Sequence, residues 1–411
     1  MSLKNILMMR EKYMNDIILY GAFDRHNYGD LLFPLIMERV IKQQFPEKKV
    51  VVAGLIDSDL SEFGAPKTVK IKQALKESQH DATVMLAGGD VVACDWQSAY
   101  GYLLPTIIFP FYERIACYYF PKITDFFIAR LAGLTSELPF NLNRDDVGIS
   151  RKIIYNSVGA TGVSHVIDEN KMLSLSKVMN EACYVAVRDV FSQEQLKRIG
   201  CDSALLAPDS ATVMSSYISV EELEQQSSFS TKKLLENYME GYIVFQISQA
   251  HVRGKEQAFA NALSEVSRKF NLPLVFIAIG NAAGHNDTAG INKVISMLAD
   301  DIAYDTYLAG NIFDLMNIIS NASCYCGTSL HGLITSMSFG VPRVALLPSL
   351  RKQINYMKTW DLPHMPKGIS PENLMSAVEV AMSTSNEELQ ALGAKLTDAY
   401  LDSFKRLSQA F

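Results

Sequence analysis

The chain has 411 residues, 48% of them hydrophobic and 20% charged, with a formal net charge of −6 from 38 basic and 44 acidic side chains. That length exceeds one ordinary core and suits two or three globular domains, and the acidic balance leaves no field for nucleic acid, so no nucleic-acid partner is expected. The six cysteines, Cys94, Cys117, Cys183, Cys201, Cys324 and Cys326, form neither a C-x-x-C pair nor a zinc spacing, so no metal site is expected and the compartment reads as reducing cytoplasm.

The opening "MSLKNILMMREKYMND" is too charged, and its apolar run too short, for a signal peptide. Short apolar runs then alternate with helical patterns: "DIILYGAF" (16–23), "KVVVAG" (49–54), "ATVMLAGG" (82–89), "KIIYNSVGA" (152–160), "YVAVRD" (184–189) and "ALLAPD" (204–209). The most membrane-like stretch, "YGYLLPTIIFPFYERIACYYFPKITDFFIARLAGL" (100–134), is interrupted by Pro105, Pro110, Glu113, Arg114, Lys122 and Asp125, so it fails as a spanning helix. Core helices with aromatic contacts are the expectation there. The alternative is an apolar surface for a lipid-linked acceptor or for peripheral contact with the inner face of a membrane.

The series stops over 213–240, which is polar and has no strand pattern. It restarts with "YIVFQIS" (242–248), "LPLVFIAIG" (272–280), "YDTYLA" (304–309), "SCYCGTS" (323–329) and "RVALLP" (343–348). Continuous apolar strands joined by helices mean parallel sheets covered on both faces. The expected class is therefore α/β, with one Rossmann-like domain over 1–215, a linker over 216–240 and a second domain over 241–385. An amphipathic helix over 386–411 is expected to pack back on the first domain, and a ligand cleft is expected between the two.

The strand ends carry the chemistry-bearing residues, at the sheet edge where α/β proteins bind ligands. The first ends "GAFDRHNYGD", where Asn27, Tyr28 and Gly29 read as a turn and Asp30 as a helix N-cap that also faces any ligand. The third ends in Gly88, Gly89 and Asp90, glycines that let a ligand approach the backbone, although this is neither G-x-G-x-x-G nor a P-loop. Arg188 follows "VAV" and is a candidate anion clamp through its planar fork, with a structural pairing to Asp189 as the alternative. Asp209 ends "APD", as a turn former or a site residue. In the second half, His251, Arg253 and Lys255 read as solvated loop charge, and Gly280 and Asn281 begin a small-residue loop suited to a ligand edge. In "GTSLHGLITSMSFGVP", Thr328 or Ser329 caps a helix over Leu330–Phe339 and Gly340 stops it. That places His331 in the first turn, beside helix amides able to hold an anion.

Taken in order, "NYGD" (27–30), "AGGD" (87–90), "VRDVFSQEQLKRIG" (187–200) with "PDSA" (208–211), and "SLHGLITSMSFGVP" (329–342) resemble the polysaccharide pyruvyl transferase family over nearly the whole chain. The resemblance implies a GT-B-like pair of Rossmann domains, the first on the acceptor side and the second on the donor side. It implies phosphoenolpyruvate as co-substrate, no further cofactor, and a glycan or lipid-linked sugar as acceptor, pyruvylated as a cyclic ketal with release of phosphate. Arg188 matches an arginine, and His331 the histidine, thought to hold the donor phosphate in that family. The chain departs from the family where many members carry an arginine two positions before the histidine. Ser329 stands there instead, and Arg253 is the candidate to restore the lost charge.

Ketal formation requires anion binding and at least one acid–base group. Arg188 with the Ser329–Leu330 helix start is expected to supply the first, and His331 with Asp30 the second. A GT-B glycosyltransferase using a nucleotide sugar, and a non-catalytic sugar-binding relic, are the alternative readings.

Overall fold

A computed structural model of the chain describes residues 16–411 apart from 106–107, 167 and 281–285. The expected site residue Asn281 and the chain's first fifteen residues lie outside the described residues.

The apolar runs pair into two separate parallel sheets. The first has seven strands in the order β3-β2-β1-β4-β5-β6-β7. They are β1 (Ile17–Tyr20), β2 (Val50–Gly54), β3 (Val69–Lys70), β4 (Thr83–Leu86), β5 (Lys152–Val158), β6 (Tyr184–Val187) and β7 (Leu205–Leu206). The second has six in the order β10-β9-β8-β11-β12-β13. These are β8 (Ile243–Gln246), β9 (Leu274–Ile277), β10 (Tyr304–Tyr307), β11 (Cys324–Gly327), β12 (Arg343–Leu346) and β13 (Lys367–Ile369). Each sheet is doubly wound, so its strand order reverses beside its first strand: between β1 and β4, and between β8 and β11. Crevices at such reversals bind ligands because the loops on either side diverge.

Two strands were not foreseen. β3 and β13 are edge strands of two and three residues, too short to show a period. The run 204–209 is a strand only over Leu205–Leu206. The Ala207 amide still reaches the Val187 carbonyl at 3.0 Å, but Pro208 has no N–H to continue the ladder.

Polar 213–240 is helical, with helices Val220–Gln226 and Phe229–Asn237. It is tied to both halves, through Arg39 to Glu222 at 2.6 Å and Asn317 to Ser227 at 2.9 Å. The C-terminal helix Asn386–Leu407 returns to the first sheet. There the Asn156 amide donates to the Tyr400 hydroxyl at 2.9 Å, and the Tyr184 and Ser403 hydroxyls bond at 2.8 Å. Its Gly393 lies against the backbone of helix Leu330–Phe339, where a Cβ would stand 3.1 Å from the Met337 carbonyl oxygen. One apolar cluster therefore runs from Leu19, Phe33 and Ile36 through Ile243 and Leu333 to Phe404.

The expectation of core helices over 100–134 is corrected. Ile128 and Ala132 are buried against helix Trp96–Gly101, but Phe111, Tyr118, Tyr119, Phe120, Phe126, Phe127 and Leu131 are exposed. Among the described residues no helix is long and apolar enough to cross a membrane.

Candidate active site

The two reversal points face each other through the first turns of two helices, Tyr28–Gln44 from the first domain and Leu330–Phe339 from the second. Asn27, not Asp30, caps the former. Its side chain accepts from the Gly29 amide at 3.3 Å, which draws Tyr28 into the helix and leaves Asp30 in the first turn, accepting from the Asn27 amide group at 3.0 Å. An acid there still suits the positive end of the helix. Ser329 caps the other helix, accepting from the Gly332 amide at 3.3 Å, and Gly340 ends it in a left-handed conformation. Leu330 and His331, first in that helix, have no carbonyl a turn behind them for their amides.

The small residues of "LHGLITS" have specific work. A Cβ on Gly332 would fall 2.0 Å from the Tyr325 hydroxyl of β11, so glycine lets the helix start lie directly on the strand. Thr335 donates to the His331 carbonyl at 2.7 Å and bonds the Tyr28 hydroxyl at 2.8 Å, linking the two helices. Across the gap, a Cβ on Gly29 would fall 1.9 Å from His331 Nδ1. The Tyr28 amide donates to the Ile279 carbonyl at 3.2 Å, and Asn27 forms an isolated antiparallel bridge with Gly280.

Between these turns opens a cavity of about 350 Å³, with Asn27, Gln246, Gly280, Ser329, His331 and Lys352 among its lining. Leu330 lines it too. Gln246 organises the floor: its Oε1 accepts from the amides of Thr328 at 3.0 Å and Ser329 at 2.8 Å, while its Nε2 donates to Asp287 at 2.8 Å.

Behind His331 lies a buried charge cluster. His331 Nε2 is 3.8 Å from Asp209, which is 3.3 Å from Arg188 Nη1. Asp90 stands 3.9 Å from Arg188 Nη2 and 3.9 Å from Lys352 Nζ, and accepts from the Thr161 amide at 3.1 Å. Asp209 also accepts from the Ala211 amide at 3.1 Å, and the Trp360 indole holds the Arg188 carbonyl at 2.7 Å. Arg188 is fully buried and does not line the cavity, which corrects its placement at the cleft edge. Its Nε and Nη2, together with His331 Nε2, have no hydrogen-bond partner among the described residues. Such buried polar atoms are costly unless something satisfies them.

Gly88 and Gly89 take φ of +124° and +86°, conformations that favour glycine, and a Cβ on Gly88 would strike the Phe33 ring. They serve the sharp exit that delivers Asp90. The Phe33 ring stands edge-on to His331 at 5.1 Å, so one wall of the histidine is apolar.

The electrostatics follow from this packing. Burial pushes His331 well below its ordinary 6.5, and Arg188 and Lys352 push it further. It is therefore neutral at neutral pH. Burial, then Arg188, lowers the Lys352 ammonium, while Asp90, Asp30 and Asp209 oppose that. Burial raises Asp209, against the pull of Arg188. Asp90 stays below the usual carboxylate range: burial raises it, but Lys352, Arg188 and Thr161 together outweigh burial.

Arg253 is exposed and does not line the cavity, so it does not restore the charge missing at Ser329. Arg351 and Lys352 line it instead, and sequence reasoning missed both. Their signal was present. They open helix Arg351–Trp360 just after β12, and cations at a helix N-terminus oppose the dipole. Gln246, a polar residue ending an apolar strand, was the other signal left unread. Among the described residues no group of three or more His, Cys, Asp or Glu is placed to hold a metal ion.

Three solved structures illustrate the fold. S. aureus MnaA, in a co-structure with UDP, has a TM-score of 0.56 at 14% identity, covering 94% of this chain and 92% of that one. The UDP-GlcNAc 2-epimerase from Neisseria meningitidis, bound to UDP-GlcNAc, has 0.54 at 11%, covering 95% and 100%. The UDP-N-acetylglucosamine 2-epimerase from Rickettsia bellii has 0.54 at 11%, covering 97% and 97%. They are GT-B-fold proteins, and at these identities the likeness is one of fold. No curated protein matches the sequence. The family model for polysaccharide pyruvyl transferase matches residues 27–349, from the Asn27 cap to the loop before Arg351 that closes the cavity, and the chain belongs to that family.

Proposed function

We propose that the protein transfers the enolpyruvyl group of phosphoenolpyruvate onto two hydroxyls of a sugar, in a cell-surface polysaccharide or its lipid-linked precursor, as a pyruvate ketal. The single observation that carries this is the arrangement around His331. A neutral imidazole lines the cavity with Lys352 and the Ser329–Leu330 helix start, and its buried Nε2, 3.8 Å from Asp209, has no hydrogen-bond partner among the described residues. A small dianion suits that combination, because the cations and amides bind it while an uncharged base stays available.

In this reading the phosphate and carboxylate of the donor lie between Arg351, Lys352 and the amides of Leu330 and His331. The donor methylene gains a proton and becomes a methyl group, for which Lys352, an ammonium lining the cavity, is the candidate acid. A sugar hydroxyl adds to the central carbon, and its proton passes to His331. The carbon–oxygen bond to phosphate breaks and the second hydroxyl closes the ring. One hydroxyl proton replaces that spent on the methylene, and the other leaves with phosphate. Asp209, 3.8 Å from Nε2, pairs with the imidazole once it has taken the proton, while Asp30 and Asp90 favour the charged form of Lys352. The reading places the enzyme in the cytoplasm.

The test incubates the protein with an oligosaccharide acceptor and either phosphoenolpyruvate or UDP-sugars, measuring released phosphate and UDP. Acceptor-dependent phosphate release supports the proposal. UDP release would replace it with the nucleotide-sugar reading, for which the UDP-containing structures of similar fold are the support. Ligand binding with neither release would identify a sugar-binding relic.

A further inference from the structure

Helix Pro121–Ala132 has two apolar faces. Ile128 and Ala132 pack on helix Trp96–Gly101, while Ile123, Phe126, Phe127 and Leu131, spaced as one helical face, are 55–65% exposed. Phe111, Ile115, Tyr118, Tyr119 and Phe120 extend the exposed patch. An apolar groove of about 200 Å³ opens beside it, between Leu55, Trp96, Tyr100, Ile128 and Leu131. A surface of this composition marks an interaction site.

We propose that this patch docks on an anionic membrane surface. The charge pattern favours that occupant. The chain is acidic overall, yet Arg114, Lys122 and Arg130 are exposed within the patch. Of its acids, Asp125 is held by Lys171 at 2.8 Å, leaving Glu113 as the other. Lys70 sits at the C-terminal end of the helix, donating to the Leu131 carbonyl at 2.6 Å. Arg130 lies on the same helical face as Phe126 and Phe127, where a long side chain keeps its stem in the apolar layer and its guanidinium among headgroups. Tyr118 and Tyr119 supply rings with a polar end, suited to the same boundary. A second copy fits less well, because a two-fold interface would gather both copies' Arg114, Lys122 and Arg130 in one buried layer with only Glu113 of each left to pair them.

The patch also belongs to the segment that follows Asp90, a member of the charge cluster behind His331. Its segment leaves the first sheet through Asp90 at the end of β4, and Arg25, on the loop leaving β1, lies 5.9 Å over the Tyr102 ring.

The experiment floats the full chain with vesicles of phosphatidylcholine plus phosphatidylglycerol, and with phosphatidylcholine alone. No donor or acceptor is present, so the result stands apart from the pyruvyl reading. The wild type should float with the anionic vesicles, less with neutral ones and less in high salt. Joint Tyr119→Ser, Phe126→Ser and Phe127→Ser should lower partitioning by about tenfold or more without altering circular dichroism, since these side chains are exposed. Joint Arg114→Gln, Lys122→Gln and Arg130→Gln should remove the preference for anionic lipid. Absence of wild-type flotation, or undiminished flotation of the serine variant, overturns the proposal. So does a wild-type dimer that the serine variant dissolves and that does not float, which would assign the patch to a second copy.

Discussion

Arg188 lies near both Asp209 and Asp90, whereas His331 is near Asp209 and Lys352 near Asp90, so the three answer to different forces and their substitutions should separate. His331→Gln preserves hydrogen bonding but cannot carry a proton. We expect it to keep fold and most donor affinity while turnover falls about a hundredfold or more, measured as acceptor-dependent phosphate release. Lys352 is 38% exposed at the cavity wall, so Lys352→Gln should leave stability nearly unchanged and weaken donor binding about tenfold to a hundredfold by calorimetry. Arg188→Ala should act on the fold first. Removing a fully buried guanidinium leaves Asp209, also fully buried, without its partner, at a cost of about 3–5 kcal/mol in denaturant unfolding. Donor binding that survives in the folded fraction would make Arg188 a positioning residue. The pH dependence has a definite sign. Because the folded-state value of His331 lies below 6.5, the unfolded chain binds more protons between the two. This contribution is fully present above 6.5 and lost as pH falls toward the folded-state value. Melting temperature should therefore fall in mild acid, and less steeply in His331→Gln than in the wild type.

At the scale of elements, the site depends on two helix starts brought nearly into contact. In an ordinary helix, replacing glycine by alanine gains about 0.5–1 kcal/mol. At Gly29 the sign should reverse, because the added methyl would overlap His331 Nδ1. Overpacking of that kind costs about 1–3 kcal/mol, so Gly29→Ala should lower the melting temperature and disturb turnover together. Helix Leu330–Phe339 was legible to the residue, because a hydroxyl cap and a glycine stop are local signals. Asp30 was misread as a cap because Asn27 and Asp30 both suit that role. Asn27 takes it, accepting from the Gly29 amide, beside the Tyr28 amide's bond to Ile279 of the other half.

At the scale of the molecule, two sheets share one apolar cluster, and the C-terminal helix crosses from one to the other. It buries Leu389, Leu396, Tyr400, Phe404 and Leu407. Each side chain contributes about 1.5–3 kcal/mol, and their sum rivals the roughly 5–15 kcal/mol that keeps a domain folded. A chain ending at Thr384 should therefore lose cooperative unfolding and aggregate, whereas the full chain should unfold in a single transition by calorimetry. A truncated chain that melts as sharply as the full one would show that the helix is dispensable.

The alternation of apolar strands with helices, the break at 213–240 and the turn carrying His331 were all written in the sequence, because periodicity, capping and turn chemistry act over a few residues. Two-residue β3 was not, having too few side chains to show a pattern. Nor were the burial of Arg188, the neutrality of His331, the exposure of Phe126 and Phe127, or the arrival of Lys352. Each of these depends on neighbours distant along the chain: Asp209 and Asp90 around Arg188, Phe33 and Arg188 around His331, and helix Trp96–Gly101 covering only one face of its partner. Desolvation and Coulomb forces are set by what surrounds a group in space, so only the tertiary structure could decide them.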